Sequence, residues 1–224
     1  MLTMKNIGRR NVMAMLGAAS LAGALEVRAK TQEIMSPVKN VSARERIRER
    51  HFPNLLLTTH EGKKVRFYDD LIKDKIVVIN FMYVKCEGVC PGITANLAKV
   101  QKLLGNRLGR DIFMYSFTLK PEQDSPEVLR KYAEAYHAKK GWTFLTGAPD
   151  DMELLRRKLG FTDPDPKLDA IKSNHIGNVR YGNEPLLLWG SCPGLSKPSW
   201  IAESISWVDR PKSPKGAAKE NHNE

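Results

Sequence analysis

From about residue 55 onward, hydrophobic and polar positions alternate between two periods. Residues 55–59 (LLLTT) and 64–68 (KVRFY) flank Glu61-Gly62, which predicts a β-hairpin turning at that pair. A polar connection over 69–75 leads to residues 76–81 (IVVINF), a continuous apolar run of the kind a strand shows when both faces are covered. From Pro91 the period changes. Ile93, Leu97, Val100, Leu103 and Leu104 recur at spacings of three and four, which predicts one helical stripe. Residues 111–118 (DIFMYSFT) read as a second buried strand, and 126–140 as a helix with Pro at its start. Residues 142–145 read as a strand, and 150–159 as a helix opening on two carboxylates suited to its positive end. Residues 176–180 and 185–189 are expected to pair around Tyr181-Gly182-Asn183-Glu184, and 198–208 to close the domain as a helix. Strand, helix, strand, helix, then a hairpin and a helix is the order of an α/β protein with a mixed sheet.

The ends behave differently. Residues 1–29 read as an export signal: Lys5, Arg9 and Arg10 precede fourteen apolar residues at 12–25, with a cut expected after Ala29. Fourteen helical residues reach only about 21 Å, short of a ~30 Å hydrocarbon core. Arg9-Arg10 hints at twin-arginine export, and retention of the leader as an anchor stays open. Residues 30–51 form a charged arm in which Arg44, Arg46, Arg48 and Arg50 interleave with Glu45 and Glu49, and a solvated helix is expected there. Residues 52–208 are the expected domain, and the polar tail 209–224 is expected to be disordered.

Of the +11 formal charge, +8 belongs to the chain beyond the leader, with 32 basic against 24 acidic residues. That balance suits an acidic protein partner or an anionic membrane surface. Nucleic acid is not expected: no recognition motif is present, and the destination is extracytoplasmic.

Three cysteines remain to be placed. Cys86 and Cys90 lie in KCEGVCPG, where the first covered strand gives way to the first helix. Strand carboxyl ends are where open α/β sheets bind ligands, and free amides at a helix start favour a thiolate. The loop around Gly88 and a helical path, with both side chains on one face, are alternatives at this stage. Two thiolates form a soft site suited to Cu(I); an added imidazole would also suit Cu(II) or zinc. Disulfide exchange, for which C-x-x-C is the better-known signature, and a purely structural pair are the other readings of the spacing. Among the five histidines, His222 falls in the tail, His51 in the arm, His60 beside a turn and His137 on a basic helix end. His175 precedes the late hairpin. Cys192 reads as a partly buried free thiol, and Met82 and Met114 as core.

Four segments in order resemble the Sco/SenC family of thioredoxin-like copper proteins. Residues 80–91 (NFMYVKCEGVCP) resemble its strand followed by C-x-x-x-C-P, and 117–126 (FTLKPEQDSP) its T-x-D-P-x-x-D-T-P segment. Residues 142–147 (WTFLTG) look like its next strand, and His175 falls at its lone copper-binding histidine. The resemblance, over about 52–208, implies a thioredoxin-like fold: a mixed central sheet with flanking helices and an N-terminal β-hairpin. It also implies a copper site of Cys86, Cys90 and His175, and a role in building the binuclear copper centre of a respiratory oxidase. The implied partners are the oxidase's copper-centre subunit and a copper donor, at the periplasm or the outer face of the inner membrane. Lys120 and Asn174 stand where the family commonly has acids. Asp124 matches, either orienting a neighbour of the site or capping the helix after Pro126. The alternatives are a thiol-disulfide reductase without metal delivery, a peroxidase of peroxiredoxin type, and a zinc or structural module. Enzymatic turnover is left open.

Overall fold

The computed structural model describes residues 42–171 and 177–209. In chain order the elements are α1 (Ala43–His51), β1 (Leu56–Thr59), β2 (Lys64–Arg66), a wide helical turn (Phe67–Ile72), β3 (Ile76–Met82) and α2 (Cys90–Leu104). They continue as β4 (Ile112–Thr118), α3 (Pro126–Ala135), β5 (Trp142–Thr146), α4 (Pro149–Lys158) and the single turn α5 (Pro166–Asp169). A hairpin of β6 (Asn178–Asn183) and β7 (Leu188–Pro193) leads to α6 (Pro198–Val208).

The strands form one seven-stranded sheet in the order β2-β1-β5-β4-β3-β6-β7. The centre, β5-β4-β3, is parallel, and the flanking pairs are antiparallel. This is the mixed-sheet α/β architecture the pattern predicts, with the N-terminal hairpin turning at Gly62 (φ +84°). Every residue of β3 is buried, as an apolar run demands when both faces are covered.

Alternation along the strands assigns the two faces. Asn80, Ser116, Trp142 and Phe144 point to one side. There Trp142 Nε1 donates to Ser116 Oγ at 3.0 Å, and Tyr132 of α3 packs edge-on against Phe144. Tyr132 in turn meets Thr94 of α2 at 3.1 Å, and α2 packs on α6. Ile79, Phe81 and Phe117 point to the other side, against Phe161 after α4 and Phe67 of the wide turn.

Several elements differ from the pattern. Phe67 and Tyr68, expected to end the second hairpin strand, open the buried wide turn instead, and Leu71 and Ile72 are buried too, so the expected polar connection 69–75 is partly core. Leu103 is 57% exposed and off the buried stripe of α2. α3 stops at Ala135 rather than running to 140. His137 adopts φ +53°, and the buried Gln101 ties down the exit by donating to His137 O (2.9 Å) and accepting from Lys139 N (3.0 Å).

The late hairpin is displaced: the expected turn residues 181–183 are strand, and the chain reverses at Glu184–Leu186. Packing explains this. A Cβ on Gly182 would sit 2.1 Å from the Trp189 ring, and one on Gly190 2.7 Å from the Tyr181 ring. Both glycines are therefore seats for cross-strand aromatics, Gly182 opposite Trp189 and Gly190 opposite Tyr181, rather than turn formers.

The buried Glu184 anchors the reversal. It accepts from Arg44 Nε (2.6 Å), Tyr68 Oη (2.9 Å) and Asp74 N (2.9 Å). Burial raises its pKa, but these bonds, Arg44's first, bring the net shift below the usual carboxylate range. Arg44 thus fastens α1 to the sheet, and Ile47 packs on the core, so this part of the arm is not simply solvated. No helix among the described residues is long and apolar enough to cross a membrane.

Candidate metal centre

β3 delivers the chain to the cysteines. Beyond Met82, Tyr83 is buried, and Cys86 N donates to Tyr83 O at 3.3 Å in a turn. Residues 87–89 are a bend, and α2 begins at Cys90 with Pro91 in its first turn. Of the two paths compatible with the spacing, the loop is the one adopted. Cys86 is 6% exposed and Cys90 1%, and both are in the reduced thiol form.

The two thiols hydrogen-bond to each other, and the surroundings treat them unequally. Burial raises the Cys86 pKa. The Cys90 thiol, the amides of Cys90 and Gly88, and the Tyr83 hydroxyl, all donating to its sulfur, more than offset that and leave it below the usual thiol range. Cys90 is pushed up, first by burial and then by the Cys86 contact. The expectation that the helix start would favour a thiolate at Cys90 is therefore corrected. Its amide N–H favours the Cys86 thiolate instead, while burial dominates at Cys90 itself.

Asp124 is the hidden support of this loop. It is 2% exposed, accepts from Val84 N at 3.1 Å and from Thr118 Oγ1 at 2.6 Å, and so ties the residues between β3 and Cys86 to the end of β4. Leu119 N donates to Met82 O at 2.8 Å in the same seam. Ser125, not Asp124, caps α3, accepting from Val128 N at 3.3 Å. Burial raises the Asp124 pKa against these two hydrogen bonds. Lys120 places its ammonium 4.4 Å from the centre of the Tyr83 ring, so the cation that departs from the family pattern lies over the tyrosine bonded to Cys86.

Sequence reasoning missed Tyr83 and Thr118. Both lie inside the motif segments, but only the fold turns the Tyr83 hydroxyl toward Cys86 and brings Thr118 under Asp124. His60, beside the hairpin turn, is not left to solvent. Its half-buried ring instead accepts from Phe144 N at 3.1 Å, with burial as the main cause of a lowered pKa. His51 and His137 are exposed. Cys192 is 2% exposed, and burial pushes its thiol up to about 11, so it is an inert core group. Met82 and Met114 are buried in the core. His175 and His222 lie outside the described residues.

The donor set fits a soft monovalent ion. Two adjoining sulfurs, one inclined to ionise, suit Cu(I) and suit hard oxygen-seeking ions poorly. Among the described residues no cluster of three or more His, Cys, Asp or Glu side chains could hold a metal, so the pair stands there as a two-sulfur site.

Comparison with known proteins bears on the fold and the family. The chain is 34% identical over 88 residues to the SCO1 protein homolog of Bacillus subtilis strain 168, covering 39% of this chain and 44% of that one. It thus spans less than half the length of this curated relative. The fold superposes on a SCO1/SenC family lipoprotein from Bacillus anthracis with a TM-score of 0.57, at 23% identity over 70% of this chain and 93% of the other. Yeast Sco1 solved with copper bound gives 0.56 at 18% identity, covering 71% and 92%. BsSco, described with a disulfide switch and as a member of the Sco family of cytochrome c oxidase assembly proteins, gives 0.54 at 23%, covering 69% and 90%. The architecture is therefore the thioredoxin-like one of Sco proteins. The sequence model of the SCO1/SenC family matches residues 44–175, a stretch holding both cysteines, Tyr83 and Asp124. With more than half of its length inside that match, the chain belongs to the SCO1/SenC family.

Proposed function

We propose that the protein is a copper-binding assembly factor for the binuclear copper centre of a respiratory oxidase, with Cys86, Cys90 and His175 as its ligands. The observation that carries this reading is the pair of adjoining buried thiols at the strand-to-helix junction of a SCO1/SenC chain. The copper-bound yeast Sco1 and the assembly role described for BsSco support it. Copper is cargo here. The two thiolates hold Cu(I), and His175 joins them to complete a three-ligand Cu(II) site. Loss of two electrons and two protons from the dithiol to an external oxidant closes a disulfide and withdraws both sulfurs from the ion. Copper passes between a donor and the copper-centre subunit of the oxidase, and a basic surface suits an acidic partner or a membrane face. The copper-binding domain is residues 52–208. The leader at 1–29 supports export to the periplasm or the outer face of the inner membrane, as does the lipoprotein described for Bacillus anthracis.

Anaerobic Cu(I) titration against a competing chelator tests the reading. Cys86→Ser and Cys90→Ser each lose most Cu(I) affinity, and His175→Ala loses chiefly Cu(II). Undiminished Cu(I) affinity in both serine variants overturns it.

A second reading is favoured by the unequal thiols: a reductase of the oxidase's copper-site cysteines, with Cys86 attacking and Cys90 resolving. Attack by the Cys86 thiolate releases one target thiolate and forms a mixed disulfide. Cys90 then displaces the second target thiolate, leaving Cys86–Cys90 oxidised for an external dithiol to reduce. Rapid copper-free reduction of a target disulfide that survives His175→Ala supports this reading, and its absence removes it.

A further inference from the structure

The sheet face away from α2 carries a recess of about 290 Å³. Its apolar lining comes from Ile47 of α1, Phe52 just beyond it, Ile79 of β3, Leu159 and Trp189 of β7. The Phe52 and Trp189 rings lie 4.9 Å apart, and Trp189 rests on the bare Cα of Gly182. The charged and polar side chains around it are His51, Lys158, Arg180 and the Trp189 indole, and among the described residues no acidic side chain lines it.

Two of these groups lack a partner that comparable groups have among the described residues. Trp189 Nε1 is buried with no acceptor among the described residues, although a buried indole N–H ordinarily finds one. Arg180 is half-buried. It donates one N–H to Gly160 O at 2.9 Å and stacks 5.4 Å from the centre of the Phe161 ring. No carboxylate pairs with it among the described residues, and burial lowers its pKa with nothing opposing. Gly160 has φ +67°, and a Cβ there would come within 2.7 Å of the guanidinium, so the loop is shaped closely around this cation. Arg156 is held by Glu153 and Asp169, and Arg44 by Glu184. A partly desolvated cation without a counter-charge is stabilised by an anion that completes it.

We propose that this recess binds a small amphiphilic carboxylate, its apolar body against Phe52, Ile79 and Trp189 and its carboxylate on Arg180, with the indole N–H as a second donor. The volume, just under the range of about 300–1,000 Å³ for ligand cavities, limits the occupant to a single short chain or one ring system. The proposal is independent of copper, because β3 separates this face from the one on which α2 packs.

Isothermal titration of the reduced full chain with sodium octanoate, and in parallel with octanol and octylamine, tests it. Octanoate binds saturably at one site, and octanol and octylamine bind at least about tenfold more weakly, the scale of one hydrogen bond to a charged group. Arg180→Gln loses octanoate affinity by about tenfold and leaves octanol binding unchanged. Trp189→Phe, which keeps the ring and removes the N–H, loses about threefold to tenfold. Cu(I) affinity is unchanged in both variants. Absence of saturable octanoate binding, equal affinity for octanol, or an Arg180→Gln variant that binds octanoate normally overturns the proposal. Should Arg180→Gln fail to fold, discrimination among the three probes by the wild-type chain decides alone.

Discussion

Replacing Asp124 by alanine isolates the device that holds the cysteine loop in place. The wild-type carboxylate accepts from Thr118 Oγ1 at 2.6 Å and from Val84 N at 3.1 Å while almost wholly buried. Alanine strands both donors, at about 1–1.5 kcal/mol each. Part of that loss is offset, because the buried carboxylate is itself unfavourable when ionised. Burial raises its folded pKa above 3.8, so this group's contribution grows as pH falls through that raised value and shrinks as pH rises through it. The net expectation for Asp124→Ala at neutral pH is a loss of about 1–3 kcal/mol. At about 2–4 °C per kcal/mol, Tm falls by roughly 2–12 °C. Asp124→Asn keeps an acceptor oxygen and sheds the charge. It should stay within about 1 kcal/mol of wild type at neutral pH and lack this group's gain on mild acidification. Urea unfolding of the reduced protein at several pH values, followed by tryptophan fluorescence, measures both effects. Hydrogen exchange at the Val84 amide reads the loop directly, with about tenfold faster exchange expected for alanine. An alanine variant as stable as wild type, with Val84 exchanging at the wild-type rate, refutes the reasoning.

Two further outcomes test the scaffold. Gly182→Ala places a methyl 2.1 Å from the Trp189 ring and must displace the indole, so it should cost at least about 2 kcal/mol in denaturant unfolding, whereas an unperturbed variant would mean the ring is not seated there. Asp169, bonded to the buried Arg156, has its pKa lowered from 3.8 to about 2, chiefly by that hydrogen bond. Because the folded value is the lower one, its contribution of roughly 2 kcal/mol is present above pH 4 and is lost as pH falls toward 2. Asp169→Asn should lack it at neutral pH and show a shallower loss across that window, and parallel acid-stability profiles for the two proteins would contradict this.

Period and punctuation alone located the hairpin at Gly62, the covered strand β3, the strands β4 and β5 and the bounds of α6, because each is set by local burial and by local turn or proline chemistry. They also put Cys86 and Cys90 at a strand end before a helix, which is a statement about order along the chain. Distance in space was another matter. The 181–184 stretch looks like a turn in one dimension; it is strand and bend because two aromatic rings need glycine opposite them and because Glu184 is gripped by Arg44, 140 residues away. Likewise α3 ends early because Gln101, on another helix, captures the exit backbone. Which thiol ionises more readily, and that Asp124 steadies the loop while Ser125 caps the helix, depend on which donors converge on one atom. Such convergence comes from segments far apart in sequence, and only tertiary packing decides it.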